Sequence, residues 1–130
     1  MVTCLQLSLP AVASTVREVR QAVAEIATEV GMPEHVVEDA RLCVSEAVTN
    51  VVRHAYAGDG SVDVSVERAG GELTVVVRDG GAGLSEFRQD GELGYGLRII
   101  EELTSRLVIS STPNAGTEVR MVFAFGAEQN

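Results

Sequence analysis

Three polar residues on one helical segment carry the most direct chemistry in this chain: Glu46, Asn50 and Arg53. On a wheel of 3.6 residues per turn they fall within roughly a 60° arc. A carboxylate can take a proton, an amide oxygen can ligate a hard cation, and a guanidinium can hold phosphate. The segment that bears them, Glu38 to Tyr56, is amphipathic. Val37, Ala40, Val44, Ala47, Val51 and Ala55 recur at spacings of three and four and form an apolar stripe nearly opposite the polar arc. Alone, the arc reads as a solvated helix face. His54, one turn beyond Asn50, either reaches a phosphate or caps the last carbonyls of the helix.

Two glycine-bearing stretches follow. Arg78-Asp79-Gly80-Gly81-Ala82-Gly83 ends a β-branched run. Gly81 and Gly83 allow close approach of a flat ligand, and the Asp79 carboxylate can accept a hydrogen bond from an exocyclic amine such as that of adenine. The other reading is an ordinary Asp-Gly turn. Gly94-Tyr95-Gly96-Leu97 opens a helix, where backbone N–H groups and the dipole can hold phosphate oxygens. It is not a Rossmann fingerprint, because the third glycine position is Ile99, and no Walker A sequence is present.

The elements that must position these residues are legible from periodicity. Val2 to Leu9 alternates, with Leu5, Leu7 and Leu9 on one side, and Pro10 closes it. Val16, Val19, Val23, Ile26 and Val30 predict a helix with Ser14 as N-cap and Gly31 as the residue past its C-cap. Pro33 starts the next helix, the one bearing Glu46. Ala57-Gly58-Asp59-Gly60 breaks it. Ser61 to Glu67 alternates as a half-buried strand, Ala69-Gly70-Gly71 is a hairpin turn, and Leu73 to Val77 reads as a central strand. Asp79 to Leu93 has no periodicity and holds four glycines, a length that marks functional or disordered loops. Ile99, Ile100, Leu103 and Leu107 suggest a third helix from Leu97 onward. Arg106–Ser111 and Thr117–Phe125 form a last hairpin across Pro113-Asn114-Ala115-Gly116, and Gly126–Asn130 is a tail. The expected fold is α+β: a two-layer sandwich of a mostly antiparallel mixed sheet with three helices on one face.

Composition narrows the function classes. At 130 residues the chain reads as one domain, 1–130, with 45% hydrophobic residues and a net charge of −9. No basic patch suggests a nucleic-acid surface, and no apolar run approaches a membrane span. The N-terminus lacks the pattern of a signal peptide, and Cys4 and Cys43 stand apart without a CxxC, which predicts reduced thiols in the cytoplasm. With two distant histidines, a zinc site is not expected.

The conjunction of these motifs, in this order, resembles the GHKL ATPase superfamily with its Bergerat nucleotide-binding fold. Within it, the chain looks most like the anti-sigma-factor serine kinases. Ser45-Glu46-Ala47-Val48-Thr49-Asn50 with His54-Ala55-Tyr56 resembles the N-box, Asp79 to Gly83 the G1 box, and Gly94 to Leu97 the G2 box. The resemblance implies Mg²⁺ on Asn50, bridging ATP phosphates, and Glu46 as general base. It implies that Asp79 reads the adenine amine, that Gly81 and Gly83 shape the adenine pocket, and that Gly94 and Gly96 present amides to the phosphates. Thr117 would support the aspartate, and Tyr95 and Leu97 fall within the same G2 box. Arg53 is added from the helix wheel, not from the resemblance.

The implied function is an anti-sigma factor that phosphorylates a serine of a STAS-type antagonist. It would act as a homodimer, with the exposed edge Val2 to Leu9 contributing. One departure stands out: Leu84 to Leu93 is short for a kinase lid, and Arg88 is its only basic residue. That favours the alternative, a regulatory module that binds ATP without phosphotransfer. The ATP-binding half of a split sensor histidine kinase is a third reading, but no phospho-accepting histidine helix is present. Gyrase-like and mismatch-repair-like ATPases need a second domain.

Overall fold

Alternating valines give each paired strand one apolar face, and those faces add up to a single sheet. The computed structural model describes residues 1–53, 60–79, 95–112 and 116–126. Its elements run β1 (Val2–Pro10), α1 (Ala13–Glu29), α2 (Glu34–Arg53), β2 (Ser61–Ala69), β3 (Glu72–Asp79), α3 (Tyr95–Leu103), β4 (Arg106–Thr112) and β5 (Gly116–Ala124). The strands lie in the order β1-β2-β3-β5-β4. The fold is α+β in two layers, and the sheet expected to be mostly antiparallel is antiparallel at every described pairing.

The register explains the core. Leu7, Val64, Val77, Val119 and Ile109 make one row across the sheet, and Leu5, Val66, Val75, Met121 and Leu107 make the next. These rows face the helices. α2 lies over β2, β3 and β5, with α1 on one flank and α3 on the other. Val44, Val48, Val64, Val66, Leu73, Val75, Met121 and Phe123 are essentially sealed from solvent in one cluster. Fully burying a side chain of this size contributes about 1.5–3 kcal/mol. Val76 and Val122, on the opposite face of the sheet, are buried without joining that cluster. The helices therefore occupy one face, as expected. Among the described residues, no helix is long and apolar enough to cross a membrane.

The helix ends show where local rules held and where they gave way. At the end of α1, Met32 N–H donates to Ala27 O and Gly31 N–H to Thr28 O, with Gly31 at φ 92°. This is a Schellman motif, and glycine adopts its left-handed residue without penalty. Pro33 O then accepts from Val37 N–H, so α2 starts at once. Ser14 is not the N-cap of α1. The cap position is Val12, with no side-chain bond, and Ser14 lies inside the helix. The hydroxyl that matters is on Thr15, which is buried and donates to Pro10 O at 2.6 Å. Ala11 N–H bonds Gly60 O, so tertiary ties rather than a serine set the path into α1. Leu107, grouped above with the third helix, belongs to β4 opposite Met121. The helix stops at Leu103, and Ser105 N–H already donates to Val122 O.

Several expected features lie outside the described residues: Ala55 of the apolar stripe, most of the Ala57–Gly60 break, all but the first residue of the Asp79–Leu93 loop, the Pro113–Ala115 turn and most of the C-terminal tail. The Gly70-Gly71 turn joins β2 to β3 with Gly70 at φ 59°, as a tight hairpin requires.

On the open face of the sheet Glu118 lies between two guanidinium groups, 2.7 Å from Arg78 and 3.1 Å from Arg120. The hydrogen bond from Arg78 holds its carboxyl below the usual range. A carboxylate depressed in the fold adds stability above its unfolded pKa and loses it as pH falls through the folded value. We therefore expect Glu118→Gln to lower unfolding free energy by less than about 1 kcal/mol at pH 7. In urea titrations at descending pH, that difference should close below about pH 4.

Candidate functional site

Burying one arc of α2 fixes where its other arc points. Val37, Ala40, Cys43, Val44, Ala47, Val48 and Val51 are all buried against the sheet and α1. Glu46 and Asn50 lie on the side away from that stripe, one turn apart. They are half-buried, not solvated, because α3 packs along α2. Arg53, in the last described turn of α2, is exposed.

One close approach between the two helices is at Gly96, in the first turn of α3. A Cβ at Gly96 would fall on Glu46 Oε1, 3.3 Å from Glu46 Cδ and 3.4 Å from Glu46 Cβ. The carboxylate of the N-box-like segment and the start of the glycine-opened helix thus form one surface. Leu97, next in line, sends its side chain into the core. Any part it plays at the surface falls to its backbone.

Asp79 ends β3 with 7% of its surface exposed. It takes the core-facing position in the row of Leu9 and Val62. The Arg78↔Glu118 pairing sets the next core-facing position of β5 at Thr117, which is buried. A buried carboxylate needs hydrogen-bond donors, and both Asp79 and Thr117 have polar partners. Gly116 makes this junction possible. It sits at φ 94°, and a Cβ there would fall on the Asp79 carbonyl oxygen.

Cys43 lies on α2 a turn before Glu46, on the buried side. Burial, with help from Asp39 and Glu46, pushes its thiol up to about 12. It stays protonated and packed, which excludes a nucleophilic role.

The structure thus brings Glu46 together with Gly96, with Asn50 one turn further along α2, and sets Asp79 and Thr117 at adjacent core-facing strand positions. Tyr95 stands in the first turn of α3. His54, Gly81, Gly83 and Gly94 lie outside the described residues. Among the described residues no three His, Cys, Asp or Glu groups gather as a metal cage. The oxygen donors present, the Asn50 amide and the Glu46 carboxylate, suit Mg²⁺. That ion keeps waters and takes substrate phosphate oxygens instead of an all-protein shell.

Two contacts escape a reading of residue types. Gly96 reads as a phosphate-binding glycine, yet what it meets is Glu46. Gly116 reads as the start of a strand, yet its neighbour is the Asp79 backbone. The signal for the second is a glycine directly before a buried threonine; for the first there is none beyond the glycine itself. Replacing Gly116 by Ala should cost about 1–3 kcal/mol, since it adds a left-handed non-glycine residue and a backbone collision. Gly126, where an added Cβ would meet nothing within 4 Å, is the matched control. Urea unfolding of both Ala variants checks this, and equal stabilities would contradict the junction described.

Comparison with known proteins gives a consistent result. A family model described as a histidine kinase-like ATPase domain matches residues 9–123. An anti-sigma F factor of Clostridium botulinum is 34% identical over 98 residues, 65% of this chain and 68% of that one. The serine-protein kinase RsbW of Listeria innocua is 34% identical over 116 residues, 76% of this chain and 74% of that one. Among solved structures, one described as the RsbU and RsbW domains of Rv1364c from Mycobacterium tuberculosis superposes with a TM-score of 0.73 at 27% identity. That match covers 94% of this chain but 33% of the mycobacterial one, so this chain spans about a third of its length. The SiaB-SiaC complex of Pseudomonas aeruginosa contains a chain with a TM-score of 0.78 at 19% identity, covering 93% and 89%, which shows a shared fold.

Proposed function

Because the chain belongs to the histidine kinase-like ATPase family, we propose that it is an anti-sigma factor with ATP-dependent serine kinase activity. Its substrate is a STAS-type anti-sigma-factor antagonist, and its regulatory target is a sigma factor, bound by a cytoplasmic homodimer. The names of the relatives, anti-sigma F factor and serine-protein kinase, support the class of activity. The observation that carries the reading is the Glu46 carboxylate against the first turn of α3, one turn from Asn50.

Each residue has a separate task. Asp79 accepts the adenine amino hydrogen from its buried position, and Thr117 steadies that carboxylate. Gly81 and Gly83 shape the adenine pocket, while Gly94, Gly96 and their neighbours Tyr95 and Leu97 present backbone N–H groups to the phosphates. Arg53, and His54 after it in the sequence, would reach the phosphates. Asn50 would ligate Mg²⁺, which when bound neutralises charge on the phosphates. Glu46 takes the proton from the attacking serine hydroxyl. The serine Oγ–phosphorus bond forms as the bond from the γ-phosphorus to the ADP oxygen breaks, so ADP leaves with the electron pair.

A regulatory module that binds ATP without transfer is the second reading. The short segment Leu84 to Leu93, with Arg88 its only basic residue, favours it.

Incubation with ATP labelled at the γ-phosphate, Mg²⁺ and candidate STAS partners separates the two. Label should appear on a partner serine and fall at least about 10²-fold in Glu46→Ala, the scale of a lost general base. Asn50→Ala should abolish it as well. ATP binding without label on any partner would establish the module instead. In a separate binding titration, Asp79→Asn should weaken ATP by about tenfold or more, the scale of one charge-assisted hydrogen bond. An unchanged affinity would remove Asp79 from the adenine contact.

A further inference from the structure

We propose that Gly96 is a positioning residue for the Glu46 carboxylate, kept small by the proposed base that packs against it. The inference rests on the reading of Glu46 as general base.

Three observations carry it. First, the three nearest atoms to a Cβ at position 96 all belong to one side chain, Glu46. No backbone atom and no core residue stands among them. Second, Gly96 has no positive φ and lies in a regular helical turn, so backbone freedom does not require glycine there. Third, the part of Glu46 that a methyl group would strike is its flexible end. Relief comes from swinging the carboxylate aside, with no movement of either helix needed.

These facts separate two roles for one glycine. If Gly96 served only the phosphates, an added methyl would weaken nucleotide binding. Here the backbone N–H survives in alanine, while the carboxylate loses its place. A displacement of about 1 Å in a reacting group costs on the order of 10²-fold in rate. The loss should therefore fall on kcat and act through Glu46. A shorter carboxylate should tolerate the methyl better, because aspartate withdraws the atoms that collide.

The test is a set of six proteins: wild type, Gly96→Ala, Glu46→Gln, Glu46→Asp and the two doubles with Gly96→Ala. We expect Gly96→Ala to lower the rate of partner-serine labelling by about 10- to 10²-fold while ATP affinity stays within about threefold. In the Glu46→Gln background the same change should cost nothing further, and in the Glu46→Asp background its cost should shrink. An undiminished cost with Gln, or a loss of ATP affinity matching the loss of rate, would overturn the proposal. A second readout needs no activity. The ¹³C resonance of the Glu46 side-chain carboxyl should move in Gly96→Ala and not in Gly126→Ala. If the wild type labels no partner, the kinase reading fails, and this resonance decides the positioning contact by itself. A resonance that stays in place would then reject it.

Discussion

One burial event orients the site: the apolar stripe of α2 against the inner face of the sheet. A helix with Val44, Ala47, Val48 and Val51 locked into a core cannot rotate about its axis. Rotation by one residue, about 100°, would put Glu46 or Asn50 into hydrocarbon and leave valines in water. The direction of the polar arc is thus a by-product of hydrophobic packing. Chemistry on that arc needs no dedicated scaffold beyond the core.

The sheet sets the second reference frame. β3 is central, with β2 and β5 as partners, and its last residue is Asp79. Strand registers are rigid because a slip of one residue would invert every side chain. The same alternation that buries Val75 and Val77 therefore turns Asp79 inward, and the same pairing that buries Val119 does so for Thr117. A carboxylate and a hydroxyl enter an apolar layer at the point where the layer ends. Residues 46, 79, 96 and 117 come from four elements, and each is aimed by the packing of its own element.

How much of this was legible depends on the range of the interaction. Period two in Val62, Val64 and Val66 and the three-four spacing in α2 are consequences of burial, so they are written in residue type. So was the order of elements and the identity of the central strand. Ser14 misled because cap preference is a weak local term. A buried Thr15 bonded to Pro10 O, and Ala11 bonded to Gly60 O, outweigh it. Leu107 misled because an apolar residue continues a helical spacing by chance when a strand follows closely. The neighbour of Gly96 was not legible at all, and that of Gly116 only as a glycine placed directly before a threonine. A glycine announces that something comes close, but what comes close is a matter of tertiary distance.

The thiol beneath the site has a use of its own. Cys43 is fully buried and its proton is held to about 12, while Cys4 on the edge strand is partly exposed. Alkylating reagents attack the thiolate, so Cys43 can react only when α2 lifts from the sheet. The chain therefore carries an internal clock for the opening of α2, with a second thiol on the same molecule to calibrate it. Slowing of that clock by a ligand would measure how far the ligand clamps α2 down, with no cysteine engineered into the chain.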